Sequence, residues 1–256
     1  WTGMFLFVRL LARDYSTFEI LFVRNAVALL VLMPLMVRSG VGVLRTDRLW
    51  LHILRAVLSY LGMLGLYYGI SRIPLGDVVA LSFTQPLFIT VLAAIVLGEA
   101  VGIARWRATI IGFIGVLIIV RPGFVEIGTA TIAVIIAALL YGGSNVCIKI
   151  LMRTDTPLQG VIFVNLIMLP LAMVPALFAW KTPNLLDFGY MLGVGLCGTL
   201  GVFFLTKSYH AADASAVIPY DFLRLPLTAG AAFILFGEVL DIWTWAGAAV
   251  IFGSSY

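Results

Sequence analysis

Apolar runs long enough to cross a membrane follow one another along almost the whole chain, and they constrain the fold more than any other feature of the sequence. A helix needs about 20 mostly apolar residues to cross roughly 30 Å of bilayer hydrocarbon. The composition agrees, because 62% of the residues are apolar, 11% are charged and the mean hydropathy is +1.13. Soluble globular domains are far more polar. The chain is therefore predicted to be an all-α, polytopic membrane protein.

Ten transmembrane helices are predicted, separated by short polar breaks. Their approximate ranges are 1–11, 17–37, 51–70, 77–97, 106–120, 131–151, 160–180, 187–209, 214–236 and 241–256. The longest break, 38–50, is too short to hold a soluble domain. Any binding site is therefore expected within the membrane or at its edges.

The distribution of the 16 Lys and Arg residues predicts the topology. They lie scattered at helix ends rather than in one stripe, so nucleic acid is not an expected partner. If the N-terminus is cytoplasmic, the inner side holds Arg38, Arg45, Arg48, Arg55, Arg105, Arg107, Lys149, Arg153 and Lys207, and the outer side holds only Arg9, Arg13, Arg72, Arg121 and Lys181. The positive-inside rule then favours two cytoplasmic termini.

Residue types that recur at a near-constant spacing predict an internal repeat. The matches are Arg9, Arg13 and Asn25 with Lys149, Arg153 and Asn165, then Gly65 and Asp77 with Gly201 and Asp213, and finally Leu97, Gly98, Glu99 and Trp106 with Phe236, Gly237, Glu238 and Trp245. They predict two five-helix repeats, 1–125 and 126–256, with the first and last helices truncated. Because five is odd, the second repeat would enter the membrane in the opposite sense, as in many secondary transporters.

Three prolines, Pro86, Pro219 and Pro226, lie within the fourth and ninth predicted spans. Each proline removes a backbone N–H and frees a carbonyl in mid-span, which is tolerated where protein or a water-filled cavity satisfies the loose groups. These spans are predicted to bend and to line a cavity. Gly98 and Gly237 are predicted to end helices in left-handed caps, and the glutamate after each one is expected to cap or pair with groups at the membrane edge.

Two stretches resemble the EamA type of the drug/metabolite transporter superfamily. The stronger match is RIPLGDVVALSFTQPLFITVLAAIVLGE (72–99), with Arg55 and Ala56 upstream, and the weaker match is ADASAVIPYDFLRLPLTAGAAFILFGE (212–238). The resemblance covers nearly the whole chain. It implies a ten-helix carrier of small metabolites in the bacterial inner membrane, often an exporter, with a central cavity between the halves. Amino-acid exporters, S-adenosylmethionine carriers and carboxylate carriers all share the motif, so it identifies the fold and leaves the substrate open.

Two opposite charges, Asp221 and Arg224, lie near the middle of the ninth predicted span. On a helix they share one face and can neutralise each other. Each alone near the bilayer centre would cost about 2.5–3.5 kcal/mol on insertion scales, so both should point at a partner or at water. Two interpretations stay open: a self-compensated structural pair, or a cation and an anion offered to a zwitterionic substrate.

Aromatic side chains supply the other part of the predicted site. Tyr67 and Tyr68 of the third span match Phe203 and Phe204 of the eighth through the repeat, and an aromatic cleft with a few polar groups suits an amino acid with a large apolar side chain. Each aromatic residue could instead face lipid. The predicted substrate-binding residues are Tyr67, Tyr68, Phe83, Gln85, Asn145, Phe203, Phe204, Tyr220, Asp221 and Arg224.

The function predicted from these features is export of neutral or aromatic amino acids by alternating access, by a monomer that needs no cofactor or metal ion. The chain has no Gly-x-x-x-x-Gly-Lys phosphate loop, which favours gradient-driven transport or exchange. Carriers of S-adenosylmethionine, carboxylates or drugs remain alternatives, as does a channel or lipid scramblase. An enzyme is not expected, because the only candidate nucleophile and base, Ser144 and His210, have no supporting motif.

Overall fold

The computed structural model describes residues 1–98, 102–121, 128–211 and 223–254, and these ranges contain helices but no strand. The helices are α1 (Thr2–Leu11), α2 (Thr17–Ser39), a short 3₁₀-helix (Val41–Leu44), α3 (Leu49–Arg72), α4 (Leu75–Ser82), α5 (Gln85–Leu97), α6 (Ile103–Val120), α7 (Thr129–Leu151), α8 (Pro157–Phe178), α9 (Leu185–Ala211), α10 (Arg224–Phe236) and α11 (Ile242–Ser254).

Six of the described segments are long and apolar enough to cross a membrane. They are α2, α3, α4 together with α5, α7, α8 and the part of α9 up to Val202. Four shorter apolar helices correspond to α1, α6, α10 and α11. These ten segments match the ten predicted runs, and the prediction of an all-helical, polytopic membrane protein is confirmed. The inverted relation of the two predicted repeats stays a prediction.

The fourth predicted span is broken near its middle, as its proline suggested. Helix α4 ends at Ser82 and α5 begins at Gln85, with Phe83 and Thr84 in a turn between them. Pro86 has no N–H to donate, and its ring clashes with the carbonyl of Ser82 four residues earlier, so an unbroken helix is disfavoured. The predicted ninth span, 214–236, is described only from Leu223 onward, where α10 begins at Arg224.

Two compact units make up the chain, and α3 and α7 each contribute to both. The first contains residues 1–60 and 147–223, and the second contains residues 61–146 and 224–256. Each unit takes helices from both predicted repeats. This division concerns packing, whereas the predicted boundary at 125/126 concerns sequence similarity, and that boundary stays a prediction.

Close helix packing explains several glycines in the second unit. A Cβ added at Gly65 of α3 would lie 2.8 Å from the carbonyl oxygen of Ala133 on α7. Between α6 and α11, a Cβ at Gly247 would lie 2.5 Å from the carbonyl oxygen of Gly115. Real side chains do not tolerate such distances, so these helices approach each other through glycine, as membrane helices often do.

The predicted left-handed caps are confirmed. Gly98 ends α5 with φ +61°, and Gly237 follows α10 with φ +68°. Glycine adopts this region without the steric cost that a Cβ imposes. Glu238, which follows the second cap, accepts a hydrogen bond from the backbone N–H of Leu75 at 2.8 Å and so caps the first turn of α4. Glu99, its predicted counterpart, lies outside the described residues.

Candidate substrate site and supporting turns

The break between α4 and α5 brings together two of the predicted site residues. Phe83 lies in the break and is 3% exposed. Arg224 begins α10, and its guanidinium carbon lies 5.1 Å from the centre of the Phe83 ring. A guanidinium over an aromatic face is attracted by the negative charge density of the ring, more strongly where water is excluded. The pair therefore places a cation and a flat aromatic surface side by side within a broken span.

Thr84, which the sequence analysis did not select, adds a polar group next to this pair. Its side chain is fully buried, and its hydroxyl has no hydrogen-bond partner within the described ranges. Threonine before a helix usually accepts a hydrogen bond from the first turn, but here the residue is in the right-handed helical region and makes no side-chain cap. A buried hydroxyl without a partner is costly, so a bound water or ligand is its natural complement. The sequence signal that could have identified Thr84 is its position two residues before Pro86, at the predicted bend of the span.

The two tyrosines of α3 have different surroundings. Tyr67 is 1% exposed, whereas Tyr68 is 36% exposed. The Tyr68 hydroxyl lies 3.1 Å from the hydroxyl of Thr129, and the Arg72 guanidinium carbon lies 5.4 Å from the centre of the Tyr68 ring. Both partners are at helix ends, at the last residue of α3 and the first of α7. The described contacts therefore tie Tyr68 to the end of its span.

The predicted polar residues Gln85 and Asn145 differ in what their side chains do. Gln85 is half-buried at the first position of α5, next to Thr84. Asn145 donates from its side-chain amide to the carbonyl oxygen of Tyr141 at 2.8 Å, one turn earlier on α7. That bond occupies a carbonyl of its own helix. It uses one N–H of the Asn145 amide, and a role of this residue in substrate binding stays a prediction.

Four predicted site residues remain, namely Phe203, Phe204, Tyr220 and Asp221. Tyr220, Asp221 and the side chain of Phe203 lie outside what the structure describes, so the Asp221–Arg224 pair stays a prediction. Phe204 is described and is 61% exposed. Within the described part of the chain, no group of three or more His, Cys, Asp or Glu side chains is arranged to hold a metal ion.

A buried carboxylate organises the turn between α1 and α2. Ser16 and Glu19 form a capping box, in which Glu19 Oε2 accepts from the Ser16 N–H and hydroxyl, both at 2.9 Å. Glu19 is 1% exposed, and its Oε1 accepts from the backbone N–H of Lys181 at 2.5 Å. Tyr15 donates its hydroxyl to Asp187 at 2.8 Å. The turn thereby holds the connection that leads into α9.

The turn between α7 and α8 uses the same capping box. Here Thr156 and Gln159 form the box, and Gln159 Nε2 donates to the carbonyl oxygen of Arg45 at 2.9 Å. Asp155 lies one residue before the cap, and its Oδ2 is 2.7 Å from both the Thr46 hydroxyl and His52 Nε2. This turn holds the connection that leads into α3.

The contacts of Asp155 favour its ionised form. Burial alone would raise the pKa of this carboxyl, but hydrogen bonds from His52, Thr46 and Thr154 outweigh burial and hold the pKa below its ordinary value. His52 is itself 1% exposed, and its ring stacks on that of Phe163 at 4.4 Å between centroids. The Asp155 carboxylate is thus well supplied with hydrogen bonds at the end of the α3 span, whereas the buried His52 Nδ1 has no partner among the described residues.

Comparisons with known proteins agree with the family resemblance. The model of the EamA-like transporter family matches residues 1–121 and again residues 128–256. A solved crystal structure superposes with a TM-score of 0.67 at 17% identity, covering 99% of this chain and 92% of that chain, which shows that the fold is shared.

Several curated proteins are similar over most of the chain. A riboflavin transporter of Rhizobium johnstonii is 36% identical, over 89% of this chain and 76% of that protein. An S-adenosylmethionine uptake transporter of Rickettsia bellii is 32% identical, over 92% of this chain and 81% of that protein. A pseudopaline exporter of Pseudomonas aeruginosa is 27% identical, over 91% of this chain and 82% of that protein.

Proposed function

Because the chain belongs to the EamA-like transporter family, we propose that it is a secondary transporter in the bacterial inner membrane that carries a small metabolite with a planar nitrogen heterocycle. Riboflavin and S-adenosylmethionine, the solutes named for the relatives above, both contain such a ring joined to a polar chain. This proposal follows the alternative of another metabolite carrier. It replaces amino-acid export, which none of the relatives named above supports.

The contact between Arg224 and Phe83 is the observation that carries the proposal. A planar heterocycle can stack on the flat guanidinium or on the aromatic face, and its ring nitrogens and carbonyls can accept hydrogen bonds from the guanidinium. The buried Thr84 hydroxyl beside the pair is a further group that can bind a polar atom of the ring. A few directed polar groups among apolar walls are typical of small-molecule sites.

The internal repeat is part of the same proposal. Two separate matches to one family model, 1–121 and 128–256, support two homologous halves. The two capping boxes support it as well, because Ser16 and Glu19 recur as Thr156 and Gln159 with the same hydrogen bonds inside the box. With five spans in each half, the second half is inverted and both termini are cytoplasmic. Transport then proceeds by alternating access, driven by a solute gradient.

A transport assay on the purified protein tests the substrate class. Proteoliposomes are supplied in parallel with riboflavin, S-adenosylmethionine and phenylalanine, and empty liposomes give the background. Saturable uptake of riboflavin or S-adenosylmethionine, faster than uptake of phenylalanine, supports the proposal. If phenylalanine alone is transported, the amino-acid interpretation is restored.

Two phenylalanine variants test the site. Phe83→Leu removes the ring below Arg224, and we expect KM to rise about fivefold, the equivalent of one cation–π contact of about 1 kcal/mol. Phe88→Leu is the matched control, because the Phe88 ring packs on Phe113 at 5.4 Å and has no described contact with Arg224. Equal changes in KM for the two variants would remove Phe83 from the site.

A further inference from the structure

An apolar groove lies where α2 ends and the 3₁₀-helix begins. Its volume is about 310 Å³, and its walls are Met33, Met36, Val37, Gly40, Val43 and Leu44. Gly40 has φ +70°, a conformation that glycine adopts readily and that reverses the chain between the two helices. The groove is therefore formed by one continuous stretch of chain at the end of a membrane span.

The walls of this groove are suited to a hydrocarbon chain. Val37 is 73% exposed, Met33 is 57% exposed and Leu44 is 43% exposed. Such side chains near the end of an apolar span contact lipid. Methionine is unbranched and flexible, so the two methionines can follow an irregular acyl chain.

Cationic side chains flank the groove at both ends in the sequence. Arg38 directly follows the wall residue Val37, and Arg45 directly follows the wall residue Leu44. Both arginines are exposed, and neither side chain has a hydrogen-bond or ion-pair partner among the residues that the structure describes. Asp47 is the only acidic residue between 38 and 50. The apolar groove therefore carries two guanidinium groups available to an anion.

The connection that carries these groups is fixed in position. The carbonyl oxygen of Arg45 accepts from Gln159 at 2.9 Å, and the hydroxyl of Thr46 donates to Asp155 at 2.7 Å. Trp50, which follows shortly, is 73% exposed, as is typical of aromatic side chains at the level of lipid headgroups. Since the contacts already order the segment, binding there does not require folding of the loop.

We infer that this groove is a binding site for one anionic phospholipid. An acyl chain lies in the groove between α2 and the 3₁₀-helix, and Arg38 and Arg45 hold the phosphate. The inference needs only that the chain spans a membrane and is independent of the transported solute. A basic site next to a membrane span attracts anionic lipid with about 1 kcal/mol for each cation near the surface.

Native mass spectrometry of the delipidated protein in detergent measures the binding of phosphatidylglycerol and of phosphatidylcholine. The parent protein should bind phosphatidylglycerol more tightly. Arg38→Gln and Arg45→Gln should each weaken binding of phosphatidylglycerol about fivefold, and the double variant about 25-fold, with little effect on phosphatidylcholine. Leu44→Ser should weaken binding of both lipids and leave their ratio unchanged, because it alters only the apolar wall.

Two control variants separate a site from general surface charge. Arg107→Gln removes an exposed arginine at the start of α6, and it should leave the affinity for phosphatidylglycerol within twofold. The charge-preserving double variant Arg38→Lys with Arg45→Lys should also remain within twofold, and it answers the objection that the glutamine variants misfold. The inference is overturned if Arg107→Gln weakens binding as much as Arg38→Gln. It is equally overturned if Leu44→Ser leaves the binding of both lipids unchanged, because the acyl chain would then contribute nothing.

Discussion

The turns between α1 and α2 and between α7 and α8 are built alike, but the carboxylate lies at a different position in each. Each begins its second helix with a capping box, Ser16 with Glu19 and Thr156 with Gln159. In each, the second residue of the box also bonds the backbone of a distant connection, the one before α9 or the one before α3.

The direction of that second bond differs between the turns. Glu19 accepts from the backbone N–H of Lys181, whereas Gln159 donates to the backbone carbonyl of Arg45. The second turn has its carboxylate at Asp155, and the first turn has the hydroxyl of Tyr15 at the equivalent place, which donates to Asp187. The comparison teaches that the capping box sets the backbone geometry of the turn, whereas the carboxylate can be supplied by different positions of the turn.

Removing the two box side chains should give the largest difference between the turns. Glu19→Ala leaves the N–H groups of Ser16 and Lys181 without their acceptor at a buried site, and we expect the free energy of unfolding to fall by about 3 kcal/mol. Gln159→Ala removes a neutral, half-buried side chain and should cost about 1 kcal/mol. Unfolding in mixed micelles, followed by circular dichroism, measures both. Equal losses would show that the buried carboxylate adds nothing to the box.

The Asp155 cluster should make the second turn sensitive to acid. The pKa of Asp155 is lower in the folded protein than its ordinary value of 3.8, so its contribution to stability is complete above about pH 4 and is lost as the pH falls through the folded value. Asp155→Asn should therefore lower the unfolding free energy by about 1–2 kcal/mol at neutral pH and flatten its decline below pH 4. Unfolding of parent and variant at a series of pH values provides the test. If the unfolding free energy of the variant declines in acid as steeply as that of the parent, other carboxylates cause the decline.

Features that arise within a short stretch of sequence were predictable, and features that need distant residues were not. The bilayer requires long apolar helices, so all ten segments could be predicted, and Pro86 and Gly98 mark local breaks through their own backbone restrictions. The sequence spacing of Asp221 and Arg224 suggested a local ion pair. That pair stays a prediction, because Asp221 lies outside the described residues. The described contact of Arg224 with Phe83, from a helix break far away in the chain, is one that no periodicity reveals.

The same limit applies to the two turns. Both capping boxes can be read from the spacing of Ser16 and Glu19 and of Thr156 and Gln159. Their bonds to Lys181 and Arg45 depend on how α9 and α3 pack, so only the structure shows them.

The smallest expected effect on stability is that of Tyr15, and it is expected at alkaline pH. Burial, followed by the hydrogen bond to Asp187, raises the pKa of the Tyr15 hydroxyl above its ordinary value of 10.0. A raised folded pKa gives a stabilisation that is complete below about pH 10 and is lost as the pH rises through the folded value. Tyr15→Phe should therefore flatten the alkaline decline in stability and leave the acid decline unchanged, whereas Asp155→Asn should do the reverse. Unfolding measured from pH 8 to 11 distinguishes the two, and a loss of the acid decline in Tyr15→Phe would mean that the two turns are coupled rather than independent.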